Sequence, residues 1–279
     1  MSALIVFDAD NTLWDTNAVF KKAQTNLLRV FAEAGLLKNP QDELGTLRKI
    51  DATLIKRTGQ FEYDFALLAI AIGHYYSGMT DVEASVDLTL KVNRSISEDL
   101  IEVSRAVFKR TLEEIPPLFS QTEDVLRILK NSRSPQQPIA LIMFTDGEPL
   151  RIERILDFYR PIKTAFDEVV IRKKTVQSFR QVRLLGLNKL KSSCSSGPRI
   201  FMIGDSLKHD MGPSKQAGFS TIYRPAAFLG AESPSNADET PDFRIDCLSE
   251  LPNLLKRNGV SLSIDSSRKV RKRAAISTS

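Results

Sequence analysis

A chain of 279 residues, 42% hydrophobic and 26% charged, is long enough for one large core or two smaller ones and has the balance of a water-soluble globular protein. No apolar run approaches the ~18 residues of a bilayer span, and the first apolar run is short and ends in acid, unlike a secretory signal, so a cytoplasmic protein is expected. The formal charge of +5 sits in the tail: without Arg268, Lys269, Arg271, Lys272 and Arg273, 34 basic residues face 34 acidic ones, so nucleic acid is not an expected partner of the body and only the basic tail could touch it.

In chain order, residues 2–8 read as a strand, apolar throughout and therefore buried on both faces of a parallel sheet. It runs into Asp8, with Asp10 two positions on, although close carboxylates raise each other's pKa. From about Asp15 to Leu112 the periodicity is helical, in AVFKKAQTNLLRVFAEAGLL, EYDFALLAIAIGHYY and a long stretch from Val86 expected to break near Ser95-Ile96-Ser97. KRTGQ (Lys56 to Gln60) reads as a polar turn between these helices. Phe61, Tyr63, Phe65, Tyr75 and Tyr76 read mainly as their packing. Pro116-Pro117 ends the region.

Alternation then returns. TEDVLRILKNS, EPLRIERILDFY, TVQSFRQVRLLGL, PSKQAG and LSELPNLLKRNG read as helices, with Gly218 as a C-cap. PIALIMFT, EVVIRK, RIFMIGDS, STIYR and FRID read as strands, and such alternation means a parallel sheet covered on both sides. The expected fold is therefore α/β, with a Rossmann-like core of residues 1–14 and 116–258. An inserted helical region covers 15–115, and a basic, disordered tail covers 259–279.

Ligands of open α/β sheets bind at the carboxyl ends of the strands. Those ends carry Asp8 and Asp10, Thr145, the pair Lys173-Lys174, and Asp205 with Asp210. Carboxylates, a hydroxyl and an ammonium on one rim suit phosphoryl transfer, which needs a nucleophile, a divalent cation and donors for phosphate oxygens. His74 and His209 are too few for a histidine-rich metal site, and Cys194 and Cys247 for a zinc cluster or a disulfide framework. No glycine-rich nucleotide loop is present.

The ordered set Asp8-x-Asp10-x-Thr12, Thr145, Lys174 and GDSLKHD resembles the haloacid dehalogenase superfamily. It spans nearly all of the chain except the tail, and FDADNTLW looks most like the phosphatase and nucleotidase branches. The helical insert is similar to that family's C1-type cap. The resemblance implies a Mg²⁺-dependent phosphomonoester hydrolase with Asp8 as nucleophile and Asp10 as general acid and base. Its substrate would be a small phosphorylated metabolite: a sugar phosphate, a nucleotide or a phosphoglycolate-like compound. Mg²⁺ would be held by Asp8, the Asp10 carbonyl and Asp205. Thr145 and Lys174 would hold the phosphate, with Lys173 the alternative motif lysine, and Asp210 would orient Lys174 or a water. Asn11, Thr12, Asp146, Lys56 and Arg57 are candidate substrate contacts. No membrane partner is expected, and the protein would be a monomer or homodimer. A phosphomutase shares every motif, while a binding module that keeps the fold without turnover is the rival of another class. A dehalogenase lacks the acid at the Asp10 position.

Overall fold

The structure, a computed structural model, describes residues 2–39, 43–59, 65–79, 81–91, 97–190, 197–226 and 233–263. The chain divides into two compact units, one of Met1–Asp15 with Leu118–Ser279 and one of Thr16–Pro117. The second is helical: α1 (Thr16–Glu33), α2 (Leu44–Thr58), α3 (Phe65–Tyr76), α4 (Val82–Lys91) and α5 (Glu98–Leu112). Its core gathers Leu27, Leu28 and Phe31 of α1, Leu47, Ile50 and Leu54 of α2, and Leu68 and Ile72 of α3.

Helix α2 corrects the expected KRTGQ turn. Lys56, Arg57 and Thr58 form the last helical turn, and Gly59 closes it at φ +69°, donating its N–H to the Ile55 carbonyl at 2.9 Å. Two cations in a last turn suit the negative end of the helix dipole. Gln60, Phe61, Tyr63, the Ser95-Ile96 break and Cys194 lie outside the described residues. Tyr75 and Tyr76 pack edge to face at 5.2 Å, and Tyr76 donates to Glu43 at 2.7 Å.

The first unit is a Rossmann-like α/β body. Its strands are β1 (Ala3–Phe7), β2 (Ile139–Thr145), β3 (Glu168–Ile171), β4 (Arg199–Gly204), β5 (Ser220–Tyr223) and β6 (Phe243–Arg244). All pair in parallel, in the order β3-β2-β1-β4-β5-β6. The apolar run ALIVF is explained by its place. β1 is the central strand, bonded on both edges and fully buried along its length. Helices α6 (Thr122–Asn131), α7 (Pro149–Phe158), α8 (Arg160–Lys163), α9 (Val176–Leu190), α10 (Gly212–Gln216) and α11 (Leu251–Arg257) accompany the sheet. The one-turn α8, which starts on Arg160-Pro161, was not foreseen.

Phe179, Val182 and Leu190 of α9 pack with Leu4, Val6, Ile142 and Phe144. Gly186 permits that approach, since a Cβ there would stand 2.3 Å from Leu4 Cδ1. The expected tail boundary falls too early. Val260 and Leu262 are buried, and the Ser263 N–H donates to Ser132 Oγ at 2.9 Å, so residues 259–263 belong with the core; the rest of the tail lies outside the described residues. Among the described residues no helix is long and apolar enough to cross a membrane.

Register sets the rim. Phe7 stands opposite Met143 of β2 and Ile203 of β4, so the carboxyl ends of the three central strands come out in step. The chain builds β1-β2-β3 outward on one side and then returns past β1 to β4-β5-β6. The order reverses between β1 and β4, which is where an open α/β sheet offers its crevice.

Candidate active site

β1 ends at Phe7, and the ladder to β4 runs one step further, with the Asp8 N–H donating to the Ile203 carbonyl at 2.8 Å. The chain then makes a single turn in which the Ala9 carbonyl accepts from Thr12 at 3.3 Å and Leu13 at 2.8 Å. That turn brings Thr12 back to Asp8, and its hydroxyl donates to Asp8 Oδ2 at 3.0 Å. Asn11, at the corner, takes φ +57°, and its carbonyl accepts from Arg224 Nη1 at 2.5 Å. Arg224 is itself buried and lies 3.7 Å from the centre of the Phe119 ring.

Lys174 reaches the other Asp8 oxygen. Its ammonium donates to Asp8 Oδ1 and, at 2.6 Å, to Asp210 Oδ1, with Asp146 at 3.9 Å. The lysine is aimed by the start of α9, where the Thr175 N–H donates to Ser178 Oγ at 2.8 Å and the Ser178 N–H to Thr175 Oγ1 at 3.1 Å. Lys174 is 7% exposed and is the one of the pair that reaches Asp8, whereas Lys173 is exposed.

Asp205 follows β4 directly. Asp210 returns to the same place through a wide turn over Leu207–Met211, in which the Met211 N–H donates to Ser206, five residues back, at 3.1 Å. The Ser206 N–H donates to Asp210 Oδ2 at 3.0 Å. Gly204 is required here, because a Cβ would stand 2.4 Å from Asp210 Cγ.

Oxygens of Asp8, Asp205 and Asp210 lie within 4.8 Å of one another, a set that could hold one hard cation. Asp210 thus joins the acidic cluster as well as facing Lys174. The Asp10 side chain is turned elsewhere, Oδ1 accepting from Trp14 Nε1 at 2.9 Å and Oδ2 from Arg151 at 2.5 Å. Thr145 is buried at the end of β2, and its hydroxyl accepts the Gly147 N–H at 3.2 Å. Asp146, next to it, is largely open to solvent. Lys56 and Arg57 belong to the helical unit, where Arg57 pairs with Glu83 at 2.8 Å and Asp87 at 3.1 Å.

Trp14, Arg151 and Arg224 had no place in the sequence reading. Trp14 carried a signal, four residues after Asp10 in a segment already singled out, but nothing in the sequence separates Arg151 from Arg154 or marks Arg224.

Burial pushes the Asp8 carboxyl up to about 7; Lys174 opposes the shift, while Asp210 and Asp10 add to it. Burial likewise lifts Asp205 well above the ordinary range, reinforced by Asp8 and Asp210. For Lys174 burial works against the charge, but Asp210 and Asp8 outweigh it and hold the ammonium protonated well above its usual range. Three carboxylates thus face one ammonium.

A stability test follows from the sign of the Asp8 shift. A carboxyl at about 7 in the fold and near 3.8 unfolded favours the folded state at low pH, and that contribution is lost as pH rises from about 4 through 7. In chelator, Asp8→Asn should therefore gain stability relative to wild type across that window. Denaturant midpoints measured at both ends check it; a wild-type-to-variant difference that stays constant with pH would contradict the assignment.

A family model for haloacid dehalogenase-like hydrolases matches residues 3–218. A haloacid dehalogenase-like hydrolase domain-containing protein of Arabidopsis thaliana is 38% identical over 60 residues, which is 21% of this chain and 24% of that protein. The match thus spans about a quarter of that curated relative. Among solved structures, a haloacid dehalogenase-like family hydrolase from Xanthomonas campestris superposes with TM-score 0.58 at 19% identity, covering 92% of this chain and 91% of that one. The HAD-hydrolase YfnB of Bacillus subtilis, bound to magnesium, gives 0.58 at 18% identity, covering 91% and 98%. A HAD family hydrolase from Deinococcus radiodurans with bound phosphate and sodium gives 0.58 at 16%, covering 93% and 97%. At these identities the structural likeness establishes the fold alone.

Proposed function

Because this chain belongs to the haloacid dehalogenase-like hydrolases, we propose that it hydrolyses phosphomonoesters of small metabolites through a phosphoryl group carried on Asp8, with Mg²⁺ as cofactor. The observation that carries this reading is the contrast between two neighbouring carboxylates. Asp8 is 3% exposed, its oxygens held by Lys174 and Thr12 beside the acidic cluster, whereas Asp10 stands outside that cluster on the Trp14 and Arg151 donors. A displaced halide leaves without a proton. An alkoxide does not, so a second carboxylate set apart from the first suits a phosphate ester.

The residues fit a hard divalent cation, since the cluster offers carboxylate oxygens from Asp8, Asp205 and Asp210 within 4.8 Å of one another. The Asp10 carbonyl is a further candidate ligand. When bound, Mg²⁺ would lower the charge on these carboxylates and polarise phosphate oxygens. The magnesium of the Bacillus protein and the phosphate of the Deinococcus protein are ligands of the kind proposed here.

In this reading Asp8 attacks phosphorus, Asp10 gives a proton to the departing oxygen, and Asp10 then takes one from the water that frees Asp8. Lys174 donates to Asp8, which aims it and opposes its protonation. Thr145, Asn11, Thr12 and Asp146 are assigned to the phosphate side, though Thr12 already gives its hydroxyl to Asp8. Substrate selection is assigned to the helical unit inserted between β1 and β2, as a cap in the C1 manner. Lys56 and Arg57 are its candidate contacts.

Hydrolysis of a generic aryl phosphate tests the reading. Turnover should disappear in excess chelator and return with Mg²⁺ but not with Ca²⁺, which prefers a looser and larger oxygen shell. Full turnover after exhaustive chelation, or none with any phosphomonoester, would contradict it.

A further inference from the structure

The geometry points to Arg151 and Trp14 as positioning residues for Asp10, an assignment that rests on reading Asp10 as the proton-transfer group. Asp10 sits on a turn just past a strand, where a carboxylate has freedom about two side-chain bonds. Here one oxygen accepts from the Trp14 indole at 2.9 Å and the other from the Arg151 guanidinium at 2.5 Å. Donors on both oxygens leave one orientation.

Both donors are themselves fixed. Trp14 is fully buried and held by bridges to Asp10 and to Leu118. Arg151 lies in the first turn of α7, where Glu148 accepts from the Leu150 N–H at 2.9 Å and the Arg151 N–H at 2.6 Å. Ile152, Ile155 and Leu156 bury the inner face of that helix. The loop before α7 also closes on Asp10, since a Cβ at Gly147 would stand 2.9 Å from Asp10 Oδ2. The strand-end turn and the loop after β2 thus meet on a single carboxylate.

The side chains of Arg151 and Asp10 are 21% and 22% exposed, so the pair is part-buried and contributes to folding as well as to orientation. The orientation matters for chemistry because proton transfer needs the carboxylate oxygen within hydrogen-bond reach of its partner.

Trp14 is the only tryptophan in the chain, so its indole N–H gives a single NMR resonance that reports on Asp10. Arg151→Gln should shift that resonance, as should Asp10→Asn, whereas Arg127→Gln on the exposed face of α6 should leave it in place. In turnover, Arg151→Gln should lower kcat by about tenfold with KM little changed. Arg151→Lys should recover part of the loss. Added to Asp10→Asn, Arg151→Gln should cost nothing further, because it acts through the group already removed. A full additional loss in the double variant would overturn the inference, as would a raised KM with kcat intact, which would make Arg151 a substrate ligand. An indole resonance unmoved by Arg151→Gln would overturn it too. If no phosphomonoester is turned over at all, the phosphatase reading fails, and the indole resonance alone decides whether Arg151 and Trp14 position Asp10.

Discussion

Asp8→Asn should reduce turnover to background while leaving the fold in place. The amide has the carboxylate's shape but cannot attack phosphorus, and no second nucleophile is assigned to the rim. Removing one member of a buried ion pair ordinarily destabilises strongly, by leaving the other charge unpaired. Here Lys174 keeps Asp210 at 2.6 Å, and the cost of burying the Asp8 charge, which with Asp210 and Asp10 lifts its carboxyl to about 7, is removed. Activity and stability should therefore separate: the variant loses turnover and keeps a cooperative unfolding transition. A variant that retains a tenth of wild-type activity would remove Asp8 from the role of nucleophile.

Asp10→Asn should act differently. It preserves Asp8, Lys174, Asp205, Asp210 and the Asp10 backbone carbonyl, and removes the proton donor and acceptor together with one of the two oxygens that accept from Trp14 and Arg151. General acid–base groups contribute ~10²–10⁴-fold, so a loss of that size is expected, greater for an alkyl phosphate than for an aryl phosphate whose leaving group departs unaided. With the aryl ester, attack by Asp8 should still proceed, and the phosphorylated protein should accumulate because the step that frees it has lost its base. Equal losses with good and poor leaving groups would argue that Asp10 holds structure and not a proton.

Much of this rim could be read in the sequence because the signals were local. ALIVF and IALIMF are short continuous apolar runs that fit a strand buried on both faces, and parallel pairing then puts Asp8, Thr145 and Asp205 at ends that the register aligns. Asp210 was legible as a motif residue, but not its closeness to Asp205 and Asp8. That comes from the wide turn over Leu207–Met211 and from Gly204, which leaves room for its carboxylate. Contacts set by topology were out of reach. Arg151 is 141 residues from Asp10, and Arg224 is 213 from Asn11, so neither pairing leaves a spacing to find. Helix α2 had its last turn read as a loop for another reason. Its buried stripe is only Leu47, Ile50 and Leu54, with Lys, Arg and Thr between and after them, and the polar end dominated the reading.

The central claim is that Asp8 carries the phosphoryl group and Asp10 moves the protons. Its most direct test is intact-mass measurement of acid-quenched protein after mixing with an aryl phosphate and Mg²⁺. One added phosphoryl group is expected on Asp10→Asn, and peptide mapping should place it on Asp8; Asp8→Asn should stay unmodified. A phosphoryl group on Asp8→Asn, or on a serine or histidine of either variant, would contradict the account.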